Sequence, residues 1–236
     1  MDKYIYLIGG LLPTFVAFGM LWFRRDLLKI ALVYGSIGGA ILMITEFLYT
    51  RDYWSPPTIL GSRFPVESFI FGFGITTFPL LSYPVMRGKT FASSGHQRHL
   101  NLYLLFLVVA AGVLFGGSLG LGANSILLSI ILLAVFTTTV CLMRRDLTMP
   151  AIFAVIVTTA ISLVGYVLIF DVLSPHFWDK YSLLNHSRLG VKILGDVPVI
   201  EILCYVAWSG FAVTQHPFIS GERFTGWVKD GGSASR

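Results

Sequence analysis

Long apolar runs dominate the chain, and short segments that carry most of the charge separate them. Seven runs come close to the ~20 residues that a helix needs to cross ~30 Å of hydrocarbon. They are Tyr4–Phe23, Leu28–Thr50, Val66–Met86, Leu100–Phe115, Ile126–Met143, Met149–Phe170 and Val197–Gln215. The first run lacks a short apolar core followed by a small-residue cleavage site, so we interpret it as a retained helix. The pattern predicts an all-α integral membrane protein with about seven transmembrane helices.

Composition and charge agree with this interpretation. Hydrophobic residues make up 55% of the chain and charged residues 12%, whereas a soluble domain carries about 25% charge. Eleven of the 17 lysines and arginines fall on the side of the predicted C-terminus. The positive-inside rule therefore predicts a cytoplasmic-membrane protein with its N-terminus outside and its C-terminus in the cytoplasm. No basic stripe with interleaved aromatics occurs, so we expect no nucleic-acid partner.

The same order of features occurs twice along the chain: an Arg-Arg-Asp-Leu turn, an apolar helix ending in an acid, a tryptophan, and a helix opened by proline and glutamate. The two copies consist of Arg24–Leu27, Glu46, Trp54, Pro65 and Glu67, and of Arg144–Leu147, Asp171, Trp178, Pro198 and Glu201. This order predicts two parallel three-helix repeats, residues 1–95 and 121–222, a linking helix within 96–120 and a flexible tail, 223–236. Taken alone, the arginine pairs are typical of ordinary anchoring at the membrane surface.

Three of the four glutamates, Glu46, Glu67 and Glu201, lie inside or at the mouth of apolar runs. An ionisable group at membrane depth costs roughly 2.5–3.5 kcal/mol, so each is a candidate functional residue. A structural alternative stays open for two of them. Pro65 and Pro198 suit the start of a helix, where a nearby carboxylate is stabilised by the helix dipole and can cap free amides.

Aromatic residues are abundant, with 19 Phe, 10 Tyr and 5 Trp. Any single one is best interpreted as packing or as part of an interfacial belt. Together they could line an apolar tunnel and stabilise a carbocation through their π faces. A buried acid in such a pocket is suited to protonating an olefin without a redox cofactor. Cys141 and Cys204 are far apart and the five histidines are scattered, so we expect no disulfide, metal or cofactor.

Two segments resemble the repeats of the non-flavin lycopene cyclases, small membrane carotenoid cyclases found as heterodimers, as fused chains or as the front half of bifunctional fungal enzymes. The segments are 54–71 and 185–199. The family motif is proline, any residue, then two acids. Glu67 matches the first acid and Ser68 replaces the second, whereas Ile200 replaces the first and Glu201 matches the second. The resemblance covers nearly the whole chain in layout and corresponds to the fused form.

The resemblance implies acid-catalysed cyclisation of the end group of a lycopene-like polyene in the membrane, without net redox change. It implies Glu67 as the acid, Glu201 and Glu46 as base or electrostatic partner, and Trp54 and Trp178 as cation-stabilising walls. The remaining residues that it places near the substrate are Phe64, Pro65, Pro198 and Asp171. The alternative is a cyclase-fold membrane protein that binds a carotenoid or another isoprenoid lipid without turnover. Whether the chain forms a homo-oligomer is left open.

Overall fold

The computed structural model describes residues 2–227 and is almost entirely helical. The helices are α1 Asp2–Phe23, α2 Leu28–Asp52, α3 Val66–Met86, α4 Leu100–Phe115, α5 Ser125–Met143, α6 Thr148–Tyr166, α7 Phe177–Tyr181 and α8 Val199–Ser220. The strands are β1 Lys89–Ser93, β2 Lys192–Ile193, β3 Val197–Pro198 and β4 Glu222–Gly226. Single 3₁₀ turns at Arg25–Leu27 and Arg145–Leu147 precede α2 and α6, and π-helical turns extend α4 and α6.

Six helices in residues 2–227 are long and apolar enough to cross a membrane: α1, α2, α3, α4, α5 and α6 with their adjoining turns. Large apolar side chains such as Phe15, Trp22 and Val108 project from the surface, as lipid contact requires. The expected all-α fold, with several helices of membrane-spanning length and composition, is therefore confirmed. Helix α8 is 22 residues long but carries Glu201, Gln215 and His216 and is not one of the six. The count of seven stays a prediction.

Helices α3 and α8 form the centre of the bundle. Helix α3 packs against α1, α2 and α8, and α8 packs in addition against α5 and α6. Close approach of α2 and α3 depends on glycine, because a Cβ atom on Gly72 would lie 2.7 Å from the carbonyl oxygen of Gly38. This arrangement brings the N-terminal turns of α3 and α8, which carry two of the three candidate glutamates, into the interior.

A buried arginine ties together the ends of three elements in the first half. Arg24 donates from Nε and Nη2 to the two carboxylate oxygens of Asp26, at 2.8 and 2.7 Å. It also donates to the carbonyl oxygens of Pro84 at 3.0 Å and of Lys89 at 2.8 Å. Because the turn before α2 is thereby joined to the end of α3 and to β1, we call this set the first arginine clamp.

A second arginine clamp repeats the arrangement in the other half. Arg144 donates to Asp146 at 2.8 and 2.7 Å, to the Pro217 carbonyl at 3.2 Å and to the Glu222 carbonyl at 2.8 Å. Both clamp arginines are buried, so the interpretation of the arginine pairs as surface anchors holds only for their exposed neighbours Arg25 and Arg145.

The predicted flexible tail begins with an ordered strand. Residues Glu222–Gly226 form β4, which pairs antiparallel with β1 so that Lys89 lies opposite Gly226 and Ser93 opposite Glu222. The pairing joins the chain after α3 to the chain after α8, at the ends held by the two clamps. This segment therefore corrects the expected start of the tail, and residues 228–236 of that tail lie outside the described range.

Candidate active site

All three predicted glutamates are buried, with 1% exposure for Glu46, 0% for Glu67 and 5% for Glu201. Glu46 lies near the end of α2, and Glu67 and Glu201 lie in the first turns of α3 and α8. Glu46 and Glu201 line one cavity, which we call the acid cavity, and Glu67 does not. The structure thus brings one acid from each half of the chain to a shared space.

Aromatic and apolar side chains make up most of the acid cavity. Its other lining residues are Tyr6, Leu42, Tyr49, Tyr53, Trp54, Phe71, Ile75, Ile126, Ser129, Tyr166, Cys204 and Trp208. It encloses about 30 Å³ of free space, which is enough for a water molecule or two. A larger guest therefore enters only if some of these side chains move.

Glu46 is contacted by a tyrosine from α1, which in turn is hydrogen-bonded to a serine of α3. The Tyr6 hydroxyl donates to Glu46 Oε2 at 3.4 Å and lies 2.7 Å from the Ser68 hydroxyl. Glu46 Oε1 has no hydrogen-bond partner among the described residues. One oxygen of this carboxyl is therefore fixed and the other is free to meet a ligand.

Glu201 is held in the same manner from α6. The Tyr166 hydroxyl donates to Glu201 Oε2 at 2.6 Å, and Oε1 is without a partner in the part of the chain that the structure describes. A buried carboxyl oxygen without a partner is costly, and such a group in a native protein calls for an explanation. Two such oxygens on one cavity mark a polar site within an otherwise largely apolar lining.

An aromatic stack forms one wall. Trp54 and Trp178 lie nearly parallel, with ring centroids 5.5 Å apart, and Tyr166 also stacks on Trp178, with centroids 6.0 Å apart. Tyr6 meets Trp54 edge to face at 4.7 Å. Trp178 does not itself line the cavity but supports Trp54 and Tyr166, so the two predicted tryptophans do come together. A cation formed in the cavity would meet π faces.

Glu67 has a different environment. Its Oε1 accepts a 2.6 Å hydrogen bond from the backbone amide of Ile59 in the loop between α2 and α3, and its Oε2 has no partner among residues 2–227. The carboxyl lies within electrostatic range of Glu46. Glu67 thus fixes the loop that follows Trp54. Its assignment as the acid stays a prediction, and the geometry favours the two cavity glutamates.

The other predicted substrate contacts lie away from the cavity. Phe64 is 52% exposed on the loop, and Pro65 and Pro198 directly precede α3 and α8 with extended backbone. Asp171 lies in the π-helical turn after α6, against Gly195, whose φ of 86° favours glycine. The prolines therefore stand one position before the first helical residue, where we had expected them to be that residue, and none of the four lines the acid cavity.

Sequence reasoning missed the tyrosines that hold the two cavity glutamates. Tyr166 follows Arg144 by the same number of residues as Glu46 follows Arg24. By this spacing, Tyr166 corresponds to Glu46, whereas Asp171 lies five residues further along the chain. The equal spacing from the two clamp arginines could have identified Tyr166 from the sequence. The charge of Asp171 drew the comparison with Glu46 to that residue instead.

A polar cluster lies outside the cavity on the loop between α6 and α8. The ligand atoms of His176, Asp179 and Asp196 lie within 4.8 Å of one another. Lys192 forms ion pairs with both carboxylates, and its hydrogen bond to Asp179 lowers the pKa of that carboxyl. The lysine thus supplies the cation that this cluster needs, and we assign no metal to it.

No protein family, no curated protein and no solved structure matches this chain. The resemblance to the non-flavin lycopene cyclases therefore depends on the motifs described above, and function has to be argued from the site itself.

Proposed function

We propose that this protein is a membrane isomerase that cyclises the end group of a linear, lycopene-like polyene by acid–base catalysis. One observation carries the proposal: in a single aromatic cavity, Glu46 and Glu201 each have one oxygen held by a tyrosine and one oxygen without a partner among residues 2–227. A site that only bound hydrocarbon would have little use for two buried carboxyls.

The reaction adds one proton to the substrate and removes another proton from it. A protonated carboxyl adds its proton to the terminal double bond of the polyene, which leaves a tertiary carbocation. The π electrons of an internal alkene attack this cation and close the ring, and the cation moves to a ring carbon. The second carboxyl, as carboxylate, removes a neighbouring proton and restores a double bond. The product is an isomer of the substrate, and no redox cofactor takes part.

We assign Glu46 and Glu201 as the acid–base pair, with the aromatic wall as the group that stabilises the cation. Tyr6 and Tyr166 are positioning residues because each holds one carboxyl by a hydrogen bond. Glu67 is a further positioning residue, since it holds the loop after Trp54 through the Ile59 amide. All three predicted glutamates therefore keep a role in this assignment, but Glu67 becomes a positioning residue and the proton transfers pass to Glu46 and Glu201.

The proposed repeat accounts for the position of the site. The two arginine clamps have matching partners in the two halves, including Pro84 and Pro217 near the ends of α3 and α8. Counted back from these prolines, Ser68 and Glu201 hold equivalent positions. The first half supplies an acid from its second helix and the second half from its third. The proposed site therefore lies where two parallel three-helix units meet.

The proposed location is the cytoplasmic membrane, with the N-terminus outside and the C-terminus in the cytoplasm. The excess of lysine and arginine on one side supports this orientation. Reporter fusions at the two ends test it, and activity of a cytoplasm-dependent reporter at the N-terminus would reverse it.

The test is pigment chromatography from a lycopene-accumulating bacterial host that expresses the chain. We expect a cyclised product from the wild type and none from Glu46→Gln or Glu201→Gln, at equal protein levels in the membrane. The matched control is Glu222→Gln, which changes the one glutamate outside the set of three. Product formation by both cavity variants would overturn the acid–base assignment.

The second candidate function is a polyene-binding or isoprenoid-binding protein without turnover. Two observations favour it: the small free volume of the cavity and the single acid kept in each copy of the motif. Wild-type protein that co-purifies with unchanged lycopene and yields no cyclised pigment would support this function over the first.

A further inference from the structure

A second cavity adjoins the acid cavity. It has a volume of about 270 Å³ and lies between α2, α4, α5 and α8. Its lining residues are Ile41, Ile44, Thr45, Phe106, Leu107, Ala110, Ala111, Leu114, Phe115, Ser129, Leu132, Leu133, Trp208 and Phe211. Almost all are apolar, and we call this cavity the helix-4 groove.

The groove and the acid cavity share two wall residues, Ser129 and Trp208. Trp208 is fixed by a 3.1 Å hydrogen bond from its indole N–H to the Thr76 hydroxyl, and the Ser129 hydroxyl lies 2.9 Å from the Tyr49 hydroxyl. Thr45, which precedes Glu46 in α2, lines the groove as well. The indole and this hydroxyl pair therefore separate an apolar space from the two carboxyls.

Helix α4 forms the outer side of the groove and is the least embedded of the six membrane-length helices. Only 11% of its most apolar stretch is buried, compared with 67% for α3. Leu104, Leu105 and Val108 are mostly exposed on the same helix. The groove thus lies directly behind a helix whose other face is available to lipid.

We propose that the helix-4 groove holds the linear hydrocarbon chain of the substrate, and that the side chains of Trp208 and Ser129 move apart to admit its reacting end into the acid cavity. This inference rests on the proposed function and names the route for its substrate. The volume of the helix-4 groove is close to the ~300 Å³ at the lower end of the usual range for ligand pockets. No charged residue lines it, so nothing there would bind the headgroup of a phospholipid.

The direct test fills the groove and measures both binding and turnover. Ala110→Trp places an indole in the groove, and Val109→Trp places the same side chain on an exposed position of the same helix. Binding is followed as energy transfer from tryptophan to added lycopene in purified, detergent-solubilised protein. We expect about a tenfold loss of polyene affinity and of cyclised product for Ala110→Trp, and less than about a twofold change for Val109→Trp.

A second variant separates blockage from misfolding. In Ala110→Cys, a bulky thiol reagent is added after purification, so one folded sample is compared before and after labelling. Val109→Cys is the matched control, and labelled wild type corrects for Cys141 and Cys204. Loss of binding on labelling position 110 alone supports the proposal. Unchanged lycopene binding after complete labelling at Ala110→Cys overturns it.

The outcomes distinguish this inference from the proposed function. If wild type binds lycopene without forming product, and labelling at position 110 removes the binding, the cyclase assignment fails and the groove assignment stands. If wild type forms product and the labelled variant forms it equally well, the cyclase stands and the route is wrong. If labelling displaces only phospholipid acyl chains, the groove is a lipid site and the proposal is overturned.

Discussion

Tyr166 donates a 2.6 Å hydrogen bond to Glu201, and its ring stacks on Trp178 with centroids 6.0 Å apart. The same side chain therefore fixes the carboxyl and belongs to the aromatic wall beside it. By their spacing from the clamp arginines, Glu46 corresponds to Tyr166, and counted back from Pro84 and Pro217, Ser68 corresponds to Glu201. In the proposed repeat, one half therefore has a carboxyl where the other has a hydroxyl, and the reverse holds at the second position. As a result, the cavity receives one acid from each half.

Tyr166→Phe removes the hydroxyl and keeps the stacked ring. A hydrogen bond to a charged group contributes about 1.5–3 kcal/mol, so we expect the cyclisation rate to fall roughly 10- to 100-fold. The matched control is Tyr53→Phe, which alters another tyrosine of the same cavity outside the hydrogen bonds to the glutamates. Product formation per unit of protein measures both. Equal rates for the two variants would contradict a positioning role for Tyr166.

Substitutions of Glu67 distinguish two roles for this residue: the acid that the resemblance implies, and a positioning residue that holds the loop after Trp54. Glu67→Gln retains an oxygen that accepts from the Ile59 amide but loses the acidic proton. If Glu67 holds the loop, Glu67→Gln keeps most of the activity and Glu67→Ala loses more. Chromatography of the pigments from both variants checks this expectation. Loss of product in Glu67→Gln as complete as in Glu46→Gln would instead restore Glu67 as the acid that the family motif implies.

The helices were predictable because long apolar runs bounded by charge leave few alternatives in a membrane. Val66–Met86 and Leu100–Phe115 are helices with the predicted bounds. Strand β4 was not predictable, because its pairing with β1 joins segments more than a hundred residues apart and leaves no local signal. A short polar segment near a chain end looks like a tail unless its distant partner is known.

Part of the candidate site was also predictable from the sequence. Burial of Glu46 and Glu201 followed from their apolar surroundings, and the resemblance to the cyclases implied that they belong to one site. Tyr166 was missed because a tyrosine in an apolar helix is ordinary and carries no charge to mark it. The resemblance implied Glu67 as the acid, and sequence alone does not show that its carboxyl accepts a hydrogen bond from the Ile59 amide.

The loop between α6 and α8 gives a pH-dependent prediction. The hydrogen bond from Lys192 is the main cause that lowers the pKa of Asp179 below its ordinary value of 3.8. Ionised Asp179 therefore stabilises the loop at any pH above that value, and this contribution is lost as the pH falls below it. We expect protease cleavage between residues 182 and 196 to rise below about pH 4, with only a modest amplitude because Asp179 is half exposed.

In Asp179→Asn the loop should be cleaved faster at neutral pH, with less further increase on acidification. An identical pH profile in that variant would rule out Asp179 as the titrating group.

The two arginine clamps predict matched losses of stability. In Arg24→Ala and in Arg144→Ala, a buried cation disappears and two backbone carbonyls lose their donor. Breaking a fully buried ion pair costs about 3–5 kcal/mol, and we expect about 2–3 kcal/mol here because each aspartate is partly exposed. Unfolding of purified protein in mixed micelles measures the change, with the exposed neighbours Arg25→Ala and Arg145→Ala as controls. If the clamps are equivalent parts of a repeat, the losses of unfolding free energy in the two variants agree within about 1 kcal/mol. A large loss at one arginine and none at the other would show that the two halves are not built alike.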